Sequence, residues 1–297
     1  MTEGPAPILD PDFANRVASL SVMAQHIVDG HLTGMHRSPH RGASVVFAEH
    51  QDYRPGDDTR RIDWKASARM DRQVLKRFEL ESQLRALLLL DGSGSMAFAG
   101  SGGGPTKHTY AASILAALSH LLIRQGDAVG IGRFHEDLLE ILPPASKPSH
   151  LTLAFEHLAK APDPDRPTNL HRTILSLADR TTRRHLLVFA TDLIDPAEDP
   201  LAPLGPLVAR GHEVWVLHVL TPDELSFPFD GMAIFEGLEG EAAVEASAEN
   251  LRPAYIRAME QWLRNTQAQC TAIGVRHVLA RTDEPPEGVL GRLLGRD

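Results

Sequence analysis

Five oxygen-bearing side chains stand where apolar segments end, and their types suit the binding of a hard cation. The stretch "LRALLLLDGSGSMAFAGSGGG" (84–104) runs an apolar strand into Asp91 and then sets Ser93 and Ser95 between glycines. Alternation along an extended loop places Asp91, Ser93 and Ser95 on one side. A carboxylate with two hydroxyls is an all-oxygen set, suited to Mg²⁺ or Mn²⁺ rather than to zinc or copper. Three ligands are too few for an octahedral ion, and two later loops supply more. Thr168 lies in "RPTNL", just before a helical pattern, and Asp192 in "LLVFATDLID", where another apolar strand ends. As a strand-end loop residue, Asp192 is expected to carry little core packing.

These donors act together only if the elements behind them align. The near-continuous apolar runs "RALLLLD", "DAVGIGRF", "RHLLVFATD" and "EVWVLHVL" read as buried strands, with helices such as "KHTYAASILAALSHLLIRQ" and "LHRTILSLADRTT" between most of them. That alternation specifies an α/β fold with a doubly wound, mostly parallel sheet, and ligands of such sheets bind outside the carboxyl ends of the strands. "DLLEIL" is expected to add an antiparallel hairpin strand after Phe134. Beyond Thr221 the pattern gives a strand at "GMAIFEGLE", a long helix from about Ala246 to Ala272, the strand "VRHVLA", and a tail ending in a short surface helix. Upstream, Phe13, Val17, Leu20, Ala24, Ile27 and Val28 recur at helical spacing after the cap Asp12. A small β-rich, charge-dense block follows, in which "ASVVFAEHQDY" and "QVLKRFELE" read as strands. The expected division is residues 1–83 for helix and block and 84–297 for the α/β domain with its carboxy-terminal extension.

Composition narrows the function classes. The chain has 297 residues, 42% of them apolar, so it can bury a large core. A formal charge of -9 argues against a general nucleic-acid or anionic-membrane surface. The single cysteine, Cys270, excludes an internal disulfide, fits a reducing compartment and reads as a small hydrophobe on a helix. "MTEGPAPILDPDF" places acid and proline where a secretory signal needs bases and an apolar core, and "AASILAALSHLLI" is too short and too polar to span a bilayer. A cytoplasmic location without a membrane span is expected.

Enzyme readings find less support. A haloacid-dehalogenase-type, Mg²⁺-dependent phosphatase with Asp91 as nucleophile is the alternative, but that chemistry wants a second carboxylate two residues on, where this chain has Ser93. "GSGGGPTK" imitates a phosphate loop, yet its lysine does not follow a glycine and reads as part of a flexible loop. Neither Ser93 nor Ser95 sits in a GxSxG elbow, and the 15 histidines lack the paired helical spacing of a zinc enzyme.

"DGSGS", "PTNL" and "ATDL" resemble the three loops of the metal-ion-dependent adhesion site of von Willebrand factor A domains. The resemblance implies that Ser93, Ser95 and Thr168 bind a metal directly or nearly so, that Asp91 and Asp192 act largely through water, and that an open position accepts a carboxylate from a protein partner. Pro167 departs from the pattern, since many such domains have glycine there. A second likeness covers about Gly30 to Met96: "GMHRSPHRGAS" with "FAEHQDYRPGDDTRRIDWKASARMDRQVLKRFELES" is similar to the signature of domain-of-unknown-function family 58, in which this block precedes a von Willebrand factor A fold. Bacterial members often sit beside MoxR-type AAA+ ATPases, and the resemblance implies a non-enzymatic adaptor or chaperone-like partner of such an ATPase. Within the block, "RPGDD" makes a turn that Asp57 or Asp58 can cap, and Asp57, Asp58, Asp63 and Asp71 nearly balance Arg60, Arg61, Lys65, Arg69 and Arg72 around Trp64. An internal ion-pair network anchored by Trp64 is the expected role, with direct partner contact the other reading.

Overall fold

The computed structural model describes residues 11–33, 49–52, 67, 74–77, 84–181, 183–195, 197, 199–235, 237 and 243–295. The chain forms two units, Arg37–Gln83 and a larger one built from Met1–His36 with Leu84–Asp297. In the smaller unit, β1 (Glu49–Asp52) and β2 (Val74–Arg77) pair antiparallel, Glu49 opposite Arg77 and Asp52 opposite Val74. Asp57, Asp58, Arg60, Asp63, Trp64 and Arg69 lie outside the described residues.

The larger unit opens with α1 (Pro11–Thr33), which belongs with the residues that follow 84 rather than with the block. Then come β3 (Arg85–Asp91), a 3₁₀ turn (Ser95–Ala97), α2 (Lys107–Arg124), β4 (Ala128–Phe134), β5 (Leu138–Ala145), α3 (His150–Leu158), α4 (Leu170–Arg180) and β6 (Leu186–Thr191). The remainder is α5 (Leu204–Ala209), β7 (Glu213–Leu220), α6 (Pro222–Ser226), β8 (Met232–Phe235), β9 (Val244–Ser247), α7 (Ala248–Ala272), β10 (Arg276–Arg281) and α8 (Pro286–Leu293). β8 and β9 form a separate antiparallel ribbon.

The central sheet has the order β10-β7-β6-β3-β4-β5, parallel except for the expected hairpin edge strand β5. Its strands are apolar at successive positions because both faces are covered. Ala86, Leu88 and Leu90 of β3 join Leu20, Ala24 and Ile27 of α1 and Ile114, Leu115 and Leu118 of α2. Leu87 and Leu89 turn the other way, toward Leu170 and Ile174 of α4, Leu204 and Leu207 of α5, and Cys270 of α7. From β3 the chain adds strands toward one edge, then crosses back to β6 and builds toward the other. The carboxyl ends of β3 and β6 therefore flank the switch point, the usual ligand position of such sheets.

Two local features differ from the sequence reading or sharpen it. The tail helix, expected at the surface, is part of the core: Val289, Leu290 and Leu293 are fully buried as α8 packs on α1 and β10. Their spacing on one helical face is what the Pro/Gly-rich flanks obscured. In β4, Gly130 permits a bulged approach to β5; a Cβ there would lie 2.7 Å from the Leu142 carbonyl oxygen. Among the described residues no helix is long and apolar enough to cross a membrane.

Candidate functional site

Asp91 ends β3 between two parallel neighbours, and its carboxylate gathers the surrounding hydroxyls. Its Oδ1 accepts the Ser93 backbone N–H at 3.0 Å, a turn closed by the aspartate itself. Its Oδ2 accepts Thr168 Oγ1 at 3.0 Å and Thr191 Oγ1 at 2.6 Å. Ser93 and Ser95 face each other with Oγ atoms 3.2 Å apart. The loop carrying Thr168 is held over this turn by backbone bonds, Asp163 N–H to the Gly92 carbonyl at 2.8 Å and Gly94 N–H to the Arg166 carbonyl at 3.0 Å. Asn169 then caps α4 by accepting the Arg172 N–H at 2.9 Å, which fixes Thr168 one residue before the cap.

Asp192 leaves β6 one residue after Thr191. Its Oδ1 takes the Ile194 N–H at 3.1 Å, and Leu193 between them adopts a left-handed φ of 58°, a conformation a branched side chain adopts only when its surroundings hold it. The structure thus brings Asp91, Ser93, Ser95, Thr168 and Asp192 to one place at the switch point, each with 1% exposure or less. Burial, reinforced by the charge of Asp192, pushes the Asp91 carboxyl up to about 7.

From sequence, Asp192 is expected to carry little core packing as a strand-end loop residue, but the structure ties it into a buried ion pair. Its Oδ2 receives the Lys107 ammonium at 2.7 Å, and the same ammonium reaches Glu224 Oε1 at 2.5 Å. Lys107 is fully buried at the first position of α2. Burial opposes its charge, but Asp192 and Glu224 outweigh that, so it titrates above the ordinary lysine range. Glu224 closes a capping box on α6: Thr221 Oγ1 accepts the Glu224 N–H, while Glu224 Oε2 accepts the Thr221 N–H at 2.7 Å. On the far side, His218 Nε2 meets the Asp192 carbonyl at 3.1 Å and its Nδ1 meets His277 Nε2 at 3.1 Å. Desolvation, then the neighbouring His277, holds His218 well below the usual imidazole range, so it is neutral and donates to that carbonyl.

Lys107, Thr191, Glu224 and His218 were missed from sequence, though three left signals. A lysine heads an otherwise apolar helix, a histidine interrupts the strand "EVWVLHVL", and "TPDE" is a capping-box signature with proline at the first helical position.

The donor set fits a hard cation. Among the described residues no group of three His, Cys, Asp or Glu side chains is placed to hold an ion, so an ion here depends on hydroxyls. The 3.2 Å between Ser93 and Ser95 Oγ is close to the edge of about 3 Å between adjacent ligands of an octahedral Mg²⁺. Desolvation first, then the charge of Asp192, disfavours the Asp91 carboxylate, and a cation beside it would offset both. For Asp91 as a phosphatase nucleophile the arrangement is poor, because both its oxygens already accept hydrogen bonds and its side chain has no exposure.

Residues 49–264 match the family described as Protein of unknown function DUF58. The uncharacterised protein Rv1480 of Mycobacterium tuberculosis is 25% identical over 298 residues, covering 95% of this chain and 93% of that protein. The uncharacterised protein YeaD of Bacillus subtilis is 30% identical over 144 residues, 48% of this chain and 33% of that protein. Among solved structures, the conserved hypothetical protein BatB of Bacteroides thetaiotaomicron is similar with a TM-score of 0.48 and 17% identity, covering 71% of this chain and 97% of that one.

Proposed function

We propose that this chain, which belongs to the DUF58 family, carries a von Willebrand factor A-type domain and acts as a non-enzymatic, metal-dependent protein-binding module. The observation that carries the reading is the convergence of Asp91, Ser93 and Ser95 after β3, Asp192 after β6 and Thr168 from the loop between α3 and α4 at the switch point of the sheet. Ser93, Ser95 and Thr168 would hold Mg²⁺ or Mn²⁺ with Asp91 and Asp192 behind them, and the ion would supply positive charge for a carboxylate of the partner. A MoxR-type AAA+ ATPase is the proposed partner, on the strength of the resemblance of the signature block.

The cluster is enclosed, with Glu224 the carboxylate nearest to solvent at 14% side-chain exposure. Partner entry therefore requires part of this cover to move. In the free protein Lys107, shared between Asp192 and Glu224, half-neutralises Asp192, which tempers the site's affinity for a cation. The test is capture of the MoxR-type ATPase by wild-type and Ser93→Ala protein, each in Mg²⁺ and in chelator. Capture only by wild-type in Mg²⁺ supports the reading, and equal capture in all four conditions would overturn it.

A further inference from the structure

A cavity of about 430 Å³ opens between α1, α2 and the segment after α3, and none of the five oxygen donors lines it. Leu20 and Met23 of α1, Ala112 of α2 and Leu158 of α3 give it apolar walls, and no carboxylate lines it. Its ionisable lining residues are Arg16 and His108. Arg16 donates Nε–H to the Ala159 carbonyl at 3.2 Å, and its other guanidinium nitrogens make no hydrogen bond among the described residues. His108 is 5% exposed, and its Nε2 has no partner among the described residues; Nε of the neighbouring Arg133 is likewise unpartnered. A buried polar nitrogen without a partner calls for an explanation, and a missing ligand acceptor is one.

The local field has a definite sign. Burial first, then the charges of Arg133 and Arg16, hold His108 down to about 3, so the ring is neutral and its Nε2 is free to donate. Two guanidinium groups beside a neutral imidazole, with no acid in the lining, favour an anion whose remainder is apolar. We propose that this cavity binds a small monocarboxylate with an apolar body of about ten carbons, its carboxylate held by Arg16 and His108 and its hydrocarbon between α1 and α2. Carboxylate geometry matches a guanidinium better than a single-point acceptor does, and the volume lies within the usual range for small-molecule sites. The site is separate from the oxygen cluster, although Ala97 of its wall lies in the same 3₁₀ turn as Ser95.

The test is calorimetric titration of the full chain, with chelator present throughout so that the oxygen cluster takes no part. Decanoate and 2-naphthoate are the probes for a flexible chain and a rigid ring, with decanol and butyrate as controls. Saturable binding of decanoate or 2-naphthoate is expected, with decanol about tenfold weaker or more for one lost charge-assisted bond, and butyrate weaker by well over tenfold for lack of most of the apolar contact. Ser19→Trp, at an exposed lining position where folding is not at risk, should abolish binding, and Arg16→Gln should weaken it about tenfold. Absence of saturable binding by both acids would overturn the proposal. So would decanol binding as tightly as decanoate, or unchanged binding in both folded variants.

Discussion

Replacing Lys107 by methionine removes the one positive charge among two carboxylates while keeping nearly the same volume. Lys107 and Asp192 have no exposed side-chain surface and Glu224 has 14%, so water cannot take over the lost bonds at 2.7 and 2.5 Å. Breaking a buried ion pair by removing one partner costs about 3–5 kcal/mol, because the surviving charge stays buried and unpaired. Glu224 is also bonded by the Thr221 N–H and hydroxyl at 2.7 and 2.9 Å, so it can swing outward only by undoing the cap of α6. For a domain of this size, such a loss lowers the melting temperature by about 10 °C. Urea unfolding of wild-type, Lys107→Met, Glu224→Gln and the double variant provides the measurement. The double variant should recover roughly 1 kcal/mol or more relative to the sum of the singles, since removing the carboxylate charge relieves part of the cost. A loss under about 1 kcal/mol in Lys107→Met, or strict additivity in the cycle, would show that the ammonium is not the counter-ion of these carboxylates.

The elevated Asp91 has two consequences with opposite signs. Metal binding needs the carboxylate, so apparent Mg²⁺ affinity should fall about tenfold per pH unit below about 7, followed by titration at several pH values. In metal-free protein the folded state keeps a proton that the unfolded chain, with Asp91 near 3.8, releases; this contribution is full below 3.8 and lost as pH rises through about 7. Asp91→Asn should flatten that dependence in urea melts. Gly130→Ala drives a Cβ against the Leu142 carbonyl and Pro144, so it should cost about 1–3 kcal/mol by spreading β4 from β5, read as a lowered unfolding midpoint at an unchanged denaturant slope.

The parallel sheet was legible in the sequence because strands buried on both faces are apolar at every position, and "RALLLLD" or "RHLLVFATD" can hardly be anything else. Asp91, Ser93, Ser95 and Asp192 followed from reading those strand ends, whereas Thr168, also read as a strand-end residue, sits on the loop between α3 and α4 and was found through the helix it precedes. What surrounds them did not, because charge compensation is a long-range matter: Lys107 is 85 positions from Asp192 and 117 from Glu224, and no one of the three segments announces its partners in the other two. The misplacement of α8 has the same origin. Val289, Leu290 and Leu293 form an apolar patch too short to announce burial until α1, from the opposite end of the chain, covers it. Cys270 behaved as its local pattern implied, buried on α7 with its thiol pushed up to about 11 by desolvation.

The metal is the central claim, and Mn²⁺ titrated into chelator-stripped protein tests it most directly, followed by the loss of the free-ion paramagnetic resonance signal. One saturable site is expected in wild-type protein, competed by Mg²⁺, and lost in Ser93→Ala and Ser95→Ala variants that melt within a few degrees of wild-type. Undiminished binding in both serine variants, or no saturable binding in wild-type at pH 8, would contradict the account.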